Sequence, residues 1–237
     1  MEDIKRSSPS RSAVLQAAAC LLLGATCPGC GRPAARLCPA CLLAWGQVAP
    51  QRVEEGLGGG APPGARVWAA VPYREPWRAC LIALKERGSW WLARPLGDAL
   101  ALTVAHAAPH LRTGVHLVPV PSTPAAVRER GWDTTRGLAR AAARALRVSG
   151  VPVQVAVGLR HRRSVRDQAG LGARGRSANL EGAFVAPAAW AGRAVVVVDD
   201  LVTTGASVRE AVRALREVGA LVVGCAAVAH TPRRAAQ

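Results

Sequence analysis

Apolar positions in this chain follow two rhythms that replace one another from about residue 67 onward. Runs rich in β-branched residues, Val67 to Tyr73, Val115 to Val120, Val153 to Val157 and Leu221 to Val228, read as strands, with a further short strand around Leu180 to Val185. Between them, Pro76 to about Arg87, Leu92 to about Ala107 and about Thr134 to Arg147 repeat apolar residues at helical spacing. Val195-Val196-Val197-Val198 breaks both rhythms. Four consecutive valines cannot alternate faces, so they predict a strand buried on both sides of a parallel sheet, with Asp199 and Asp200 marking its carboxyl end. After Leu201-Val202-Thr203-Thr204-Gly205-Ala206-Ser207, the residues Val208, Val212, Leu215 and Val218 recur opposite Arg209, Arg213 and Arg216. Ser207 and Glu210 have the spacing of a capping box, and Gly219 stops the helix. Strand and helix alternate throughout, which implies an α/β fold with a parallel sheet flanked by helices and ligands at the carboxyl ends of its strands.

Punctuation divides the chain. Residues 51–65, with Gly58-Gly59-Gly60 and Pro62-Pro63, have linker composition and separate an N-terminal module, 1–50, from a main domain, 66–237. Within the module, Cys27, Cys30, Cys38 and Cys41 form two Cys-x2-Cys knuckles, each turned by a proline-containing pair. Four thiolates at this spacing make a closed tetrahedral zinc site, structural because no coordination position is left open. The competing arrangement is a disulfide-stapled secreted fragment; paired knuckles favour zinc. Cys20, Cys80 and Cys225 stand in apolar contexts and are expected as buried thiols, which suits a reducing, cytoplasmic compartment. Lys5, Arg6 and Arg11 ahead of the apolar stretch Ala13 to Ala25 superficially copy a secretory signal. That stretch is too short to span a bilayer and is expected as a helix packed on the zinc module. No integral membrane span is expected elsewhere.

Charge and composition narrow the partners. Half of the 237 residues are apolar, enough for a substantial core, and the net charge is +16. Of the 31 basic residues only Lys5 and Lys85 are lysines. Part of that arginine bias is what a GC-rich genome produces, but the excess of cations favours anionic partners: a pyrophosphate substrate, nucleic acid or both. Aromatic residues are seven Trp with one Tyr and one Phe, so the core is expected to claim most of them, Trp90, Trp91 and Trp132 included.

The strand, acidic turn and helix at 195–218 carry a specific chemistry. A phosphate at the helix start meets unpaired N–H groups and the positive end of the helix dipole, Gly205 allows close backbone approach, and Asp199 and Asp200 suit ribose hydroxyls. This segment resembles the 5-phosphoribosyl-1-pyrophosphate (PRPP) motif of type I phosphoribosyltransferases. Thr203, Thr204, Gly205, Ala206 and Ser207 would anchor the 5′-phosphate.

Three further segments extend the resemblance: Val118-Pro119-Val120-Pro121 leading to Arg128-Glu129-Arg130-Gly131-Trp132-Asp133; Arg160 to Arg163 leading through Gln168, Leu171 and Arg176 to Asn179 and Gly182-Ala183-Phe184; and Lys85 closing an apolar helix. Behind a four-cysteine module, this order resembles the ComF family of phosphoribosyltransferase-like proteins from about Cys27 to Ala229. The resemblance implies a type I phosphoribosyltransferase fold, an N-terminal zinc finger and a link to natural competence and DNA uptake. It implies that magnesium bridges pyrophosphate and ribose oxygens, that Arg128 and Arg130 meet the pyrophosphate, and that Arg163 and Arg176 lie on the loop that closes over the substrate. Where the family reads Arg-Gly-Phe-Asn-Gln, this chain has Trp132, Asp133 and Thr134 in the last three places. Asp133 is expected either to pair with Arg130 or to sit near magnesium. No recognisable nucleobase pocket or glutaminase half is present, so the acceptor stays open. Two functions remain: a magnesium-dependent transferase, or a non-catalytic protein that senses PRPP or binds single-stranded DNA within the competence machinery.

Overall fold

The computed structural model describes residues 24–53, 61–62, 64–109, 114–162 and 180–232. Its centre is a six-stranded sheet in the order β1 (Gln51–Arg52), β2 (Val67–Pro72), β8 (Leu221–His230), β7 (Ala194–Val202), β3 (Val115–Pro119), β4 (Val153–Val155). Only β1 runs antiparallel to its neighbour. Helices α2 (Trp77–Glu86), α3 (Ala93–Ala107) and α5 (Thr134–Val148) cover one face, and α6 (Ala206–Glu217) covers the other. The expected α/β architecture, a mostly parallel sheet flanked by helices, is therefore present.

Side-chain alternation along β7 assigns the two cores. Val196 and Val198 pack with Leu81, Leu84, Leu100 and Leu138 of α2, α3 and α5, whereas Val195 and Val197 pack with Val208, Val212 and Leu215 of α6. All four valines are fully buried, as a strand covered on both sides requires.

The cysteine module is welded to this body. Its helix α1 (Pro39–Gly46) sets Trp45 against Trp77 with ring centroids 4.1 Å apart, and the Trp45 indole N–H donates to the Pro95 carbonyl at 3.0 Å. Cys27, Leu37, Cys38 and Cys41 belong to the same core as α2 and α3.

Several expectations change. The acids do not end their strand: β7 continues to Val202, so Asp199 and Asp200 lie inside it. The capping box at Ser207 and Glu210 does not form. The N-cap is Gly205, whose φ of 72° few other residues tolerate, and Glu210 is buried against β6 (Phe184–Val185) instead. The strand expected over 180–185 shrinks to those last two residues, paired antiparallel with β5 (Arg160–His161). Within the expected linker, Gln51–Arg52 pairs with β2 and Val53 is buried. Helix α4 (Pro124–Arg130) was not foreseen, although Thr123 caps it through an acceptor bond from Ala126 N and Pro124 opens it. The apolar stretch up to Leu23, with Cys20, lies outside the described residues, as do Gln168, Leu171 and Asn179.

Candidate functional site at the carboxyl end of the sheet

Strand β7 delivers two carboxylates with different surroundings. Successive residues of a strand point to opposite faces, so Asp199 shares its side with Val195 and Val197, and Asp200 shares its side with Val196 and Val198. Both are buried. Asp199 lines a cavity of about 260 Å3 together with Leu180, Val202 and the loop Thr203–Ser207. Burial, and then the neighbouring Asp200 carboxylate, hold the Asp199 pKa well above the ordinary carboxylate range, while the Asp200 amide donates to its Oδ1 at 2.8 Å. Asp200 faces α2, where the Lys85 ammonium forms an ion pair with its Oδ2.

The cavity loop is built for an anion. Gly205 turns the chain into α6, whose first N–H groups have no acceptor within the helix. The Thr204 carbonyl accepts from Arg209 Nη1 at 2.9 Å, and the Thr204 hydroxyl accepts weakly from Ala206 N at 3.4 Å, so the loop is fixed from both sides. Ser207, in the first turn of α6, also lines the cavity. The positive end of the helix dipole and converging hydroxyls suit a phosphate monoester.

The segment after β3 adds positive charge. Arg128 and Arg130 occupy the last turn of α4, and Arg130 stands near enough to Lys85 to oppose its charge. Among the described residues, Asp133 makes no ion pair with Arg130. It caps α5, accepting from Arg136 N at 3.1 Å and from the Ser122 hydroxyl at 3.0 Å, and so ties the loop after β3 to the helix. His161 on β5 contacts the Pro121 carbonyl at 3.1 Å through Nε2 and secures the same loop. On the other arm of that ribbon, the Glu210 carboxylate accepts from Phe184 N at 2.9 Å and pairs with Arg213, whose Nη2 donates to the Phe184 carbonyl at 3.0 Å. Arg163 and Arg176, expected on the loop between these arms, lie outside the described residues.

In the sequence Lys85 only closes an apolar helix. Its partnership with Asp200 joins residues far apart in the chain, and no local spacing signals it.

The four cysteines converge as expected. Their sulfurs lie within 4.8 Å of one another, and Cys30 and Cys38 are 3.4 Å apart. Zinc with Zn–S bonds of about 2.3 Å needs sulfurs about 3.8 Å apart in a tetrahedron, so the cluster has the size and donor set for one metal ion. Burial works to raise the Cys27 pKa, but N–H donors from Cys38, Gly29 and Cys30 outweigh it and lower the value to about 6. Beside the cluster, Cys80 of α2 is fully buried and pushed up to about 12 by desolvation. Gly29 is what permits this contact: a Cβ there would lie 2.9 Å from Cys41 Sγ and 3.4 Å from Cys80 Sγ. Cys225 is buried, as expected.

Of the three tryptophans expected in the core, Trp91 and Trp132 are packed against it, but Trp90 is 57% exposed. Among the described residues, no helix is long and apolar enough to cross a membrane.

Comparison with known proteins gives the following. No curated protein sequence matches. Among solved structures, the chain is similar to a glutamine PRPP amidotransferase from B. subtilis complexed with ADP and GMP, at 25% identity and a TM-score of 0.36, covering 56% of this chain and 25% of that one. It is also similar to an allosteric regulatory enzyme of purine biosynthesis, at 22% identity and a TM-score of 0.36, covering 59% and 26%. The matched region spans about a quarter of each of those chains. Residues 134–237, which contain β7, the cavity loop and α6, match the phosphoribosyl transferase domain, so the carboxyl-terminal part of this chain is of phosphoribosyl transferase type.

Proposed function

We propose that the protein binds magnesium-PRPP at the end of β7 and transfers its phosphoribosyl group to an acceptor still to be identified. The carrying observation is the continuous unit of Asp199, the Thr203–Ser207 loop and the start of α6 around one cavity. The 5′-phosphate takes the loop and helix start, with Thr203, Thr204 and Ser207 as donors beside the backbone of Gly205 and Ala206. Asp199 and Asp200 take the ribose hydroxyls. Arg128 and Arg130 face the diphosphate, and Arg163 and Arg176 complete its enclosure. Magnesium bound with the substrate would supply positive charge to the departing diphosphate. The protein's part is to position C1 of the ribose and to hold the charge that develops on the leaving group.

In this reading residues 1–50 form a module stabilised by zinc on Cys27, Cys30, Cys38 and Cys41, residues 51–65 join it to the transferase domain, 66–237, and the protein works in the cytoplasm, where thiolates stay reduced. Membership of the ComF family, and with it a place in competence and DNA uptake, is the finer assignment we favour. It is supported by the combination of a cysteine cluster with a phosphoribosyl transferase domain in one chain.

A thermal-shift titration tests the ligand. Magnesium-PRPP should raise the melting temperature as binding to the folded state alone requires, and ribose 5-phosphate should do so more weakly. No shift at saturating magnesium-PRPP would remove the assignment. Pyrophosphate release that depends on an added base or amine would then identify the acceptor.

Exposed Trp90, 6.4 Å from Trp132 and sharing a groove with Arg94 and Arg144, favours a second reading. Rings for stacking and arginines for the backbone suit single-stranded DNA. DNA binding that survives saturating magnesium-PRPP, with no acceptor-dependent pyrophosphate release, would make the protein a binding factor.

A further inference from the structure

We propose that Lys85 is an exchangeable cation of the transfer site: it neutralises Asp200 in the free protein and turns to the diphosphate when PRPP binds, releasing the Asp200 carboxylate to the ribose. This rests on the PRPP reading of the cleft.

Three observations converge on it. First, the ammonium of Lys85 pairs with Asp200 from the last turn of α2, and its side chain is 26% exposed against 9% for Asp200. The ammonium is thus the partner of the pair that solvent, and an anion arriving from it, can reach. Second, Arg130 stands near enough to oppose the charge on Lys85 and, among the described residues, forms no hydrogen bond or ion pair. Two cations brought together from separate helices, one of them without an anion among the described residues, suit a multiply charged anion. Third, the residue is a lysine in a chain where Lys5 is the only other one. An arginine would clamp Asp200 with a planar fork, whereas an ammonium on a four-carbon stem is a point charge with three rotatable donors and can pivot between partners. A buried carboxylate freed of its cation needs a replacement, and ribose hydroxyls with the substrate's magnesium provide one.

Calorimetric titration of Lys85→Met and Lys85→Arg with magnesium-PRPP, magnesium-diphosphate and ribose 5-phosphate tests the exchange. Loss of a charge-assisted contact made only to the diphosphate should weaken the first two ligands in Lys85→Met by about tenfold or more and ribose 5-phosphate by less than about twofold. Lys85→Arg should recover part of the loss. If ribose 5-phosphate weakens as much as PRPP, Lys85 only braces Asp200 and the exchange is overturned. If the wild-type protein binds PRPP and Lys85→Met binds it equally well, the exchange fails while the site stands. If the wild-type protein binds none of the three, the site reading falls and the exchange with it.

A measurement on the unmutated chain covers a variant that does not fold. Reductive methylation with 13C-formaldehyde labels only Lys5, Lys85 and the terminal amine and preserves their charge. The Lys85 methyl resonance should move with magnesium-PRPP and with magnesium-diphosphate but not with ribose 5-phosphate. A resonance unmoved by saturating magnesium-PRPP overturns the proposal.

Discussion

Asp199 and Asp200 are adjacent in sequence, yet the pleat of β7 gives them different neighbours: Asp199 is buried beside the cavity loop, and Asp200 pairs with Lys85. Burial, and then the neighbouring Asp200 carboxylate, put the folded pKa of Asp199 above the unfolded value of about 3.9, so the folded state binds protons more readily. Stability is therefore lost as pH rises through the raised value and regained as pH falls back toward the unfolded one. Asp199→Asn should raise the melting temperature at neutral pH, by about 2–4 °C per kcal/mol recovered, while weakening PRPP binding. Asp200→Asn should do the reverse to stability, costing about 1–3 kcal/mol because Lys85 loses its carboxylate. Equal changes in melting temperature for the two variants would contradict this asymmetry. The sequence made the pair visible but not the difference between its members, because the difference comes from α2, more than a hundred residues away. Asp133 shows a missed local signal. An Asp ahead of an amphipathic run is an N-cap by ordinary preference, and attention to nearby charges hid it.

Elements long enough to show a rhythm were legible almost to the residue in α2, α3, α5 and β3, while β7 and β8 run two residues past their expected ends. The two-residue strands β1, β5 and β6 have no period to read, and their pairing depends on distant partners. Phe184 of β6 is buried in the apolar core, and polar ties add to that hold. Glu210, buried on α6, fastens β6 through the Phe184 N–H and the shared Arg213. Burial alone would raise the Glu210 pKa, but the Arg213 guanidinium and the Phe184 amide outweigh it and hold the value below the ordinary range. The stabilisation from this pair is complete above the unfolded carboxylate pKa of about 4.3 and disappears as pH falls through the lower folded value. Glu210→Gln should thus destabilise the protein by about 1–3 kcal/mol at neutral pH, with the difference from wild type shrinking in acid. A pH series of denaturation curves with a constant difference would refute the pairing as its source.

At the scale of the molecule, a net charge of +16 suits the polyanion proposed for the cleft, and one helix runs between the cysteine cluster and Asp200. Helix α2 presses Cys80 against the cysteine cluster near one end and presents Lys85 to Asp200 in its last turn. On the proposed reading, zinc and PRPP would be two ligands at either end of one helix, and thermodynamic linkage would make any coupling reciprocal: whatever factor metal adds to PRPP affinity, PRPP must add to metal affinity. Saturating magnesium-PRPP should slow extraction of zinc by a chelator, and the metal-stripped protein should bind PRPP more weakly by the equilibrium counterpart of that protection. Extraction rates indifferent to PRPP would uncouple the centres. If the coupling holds, the finger is a gauge of the cell's zinc supply, and oxidation of its thiolates, by ejecting the metal, would lower the occupancy of a nucleotide-precursor site some distance from any sulfur.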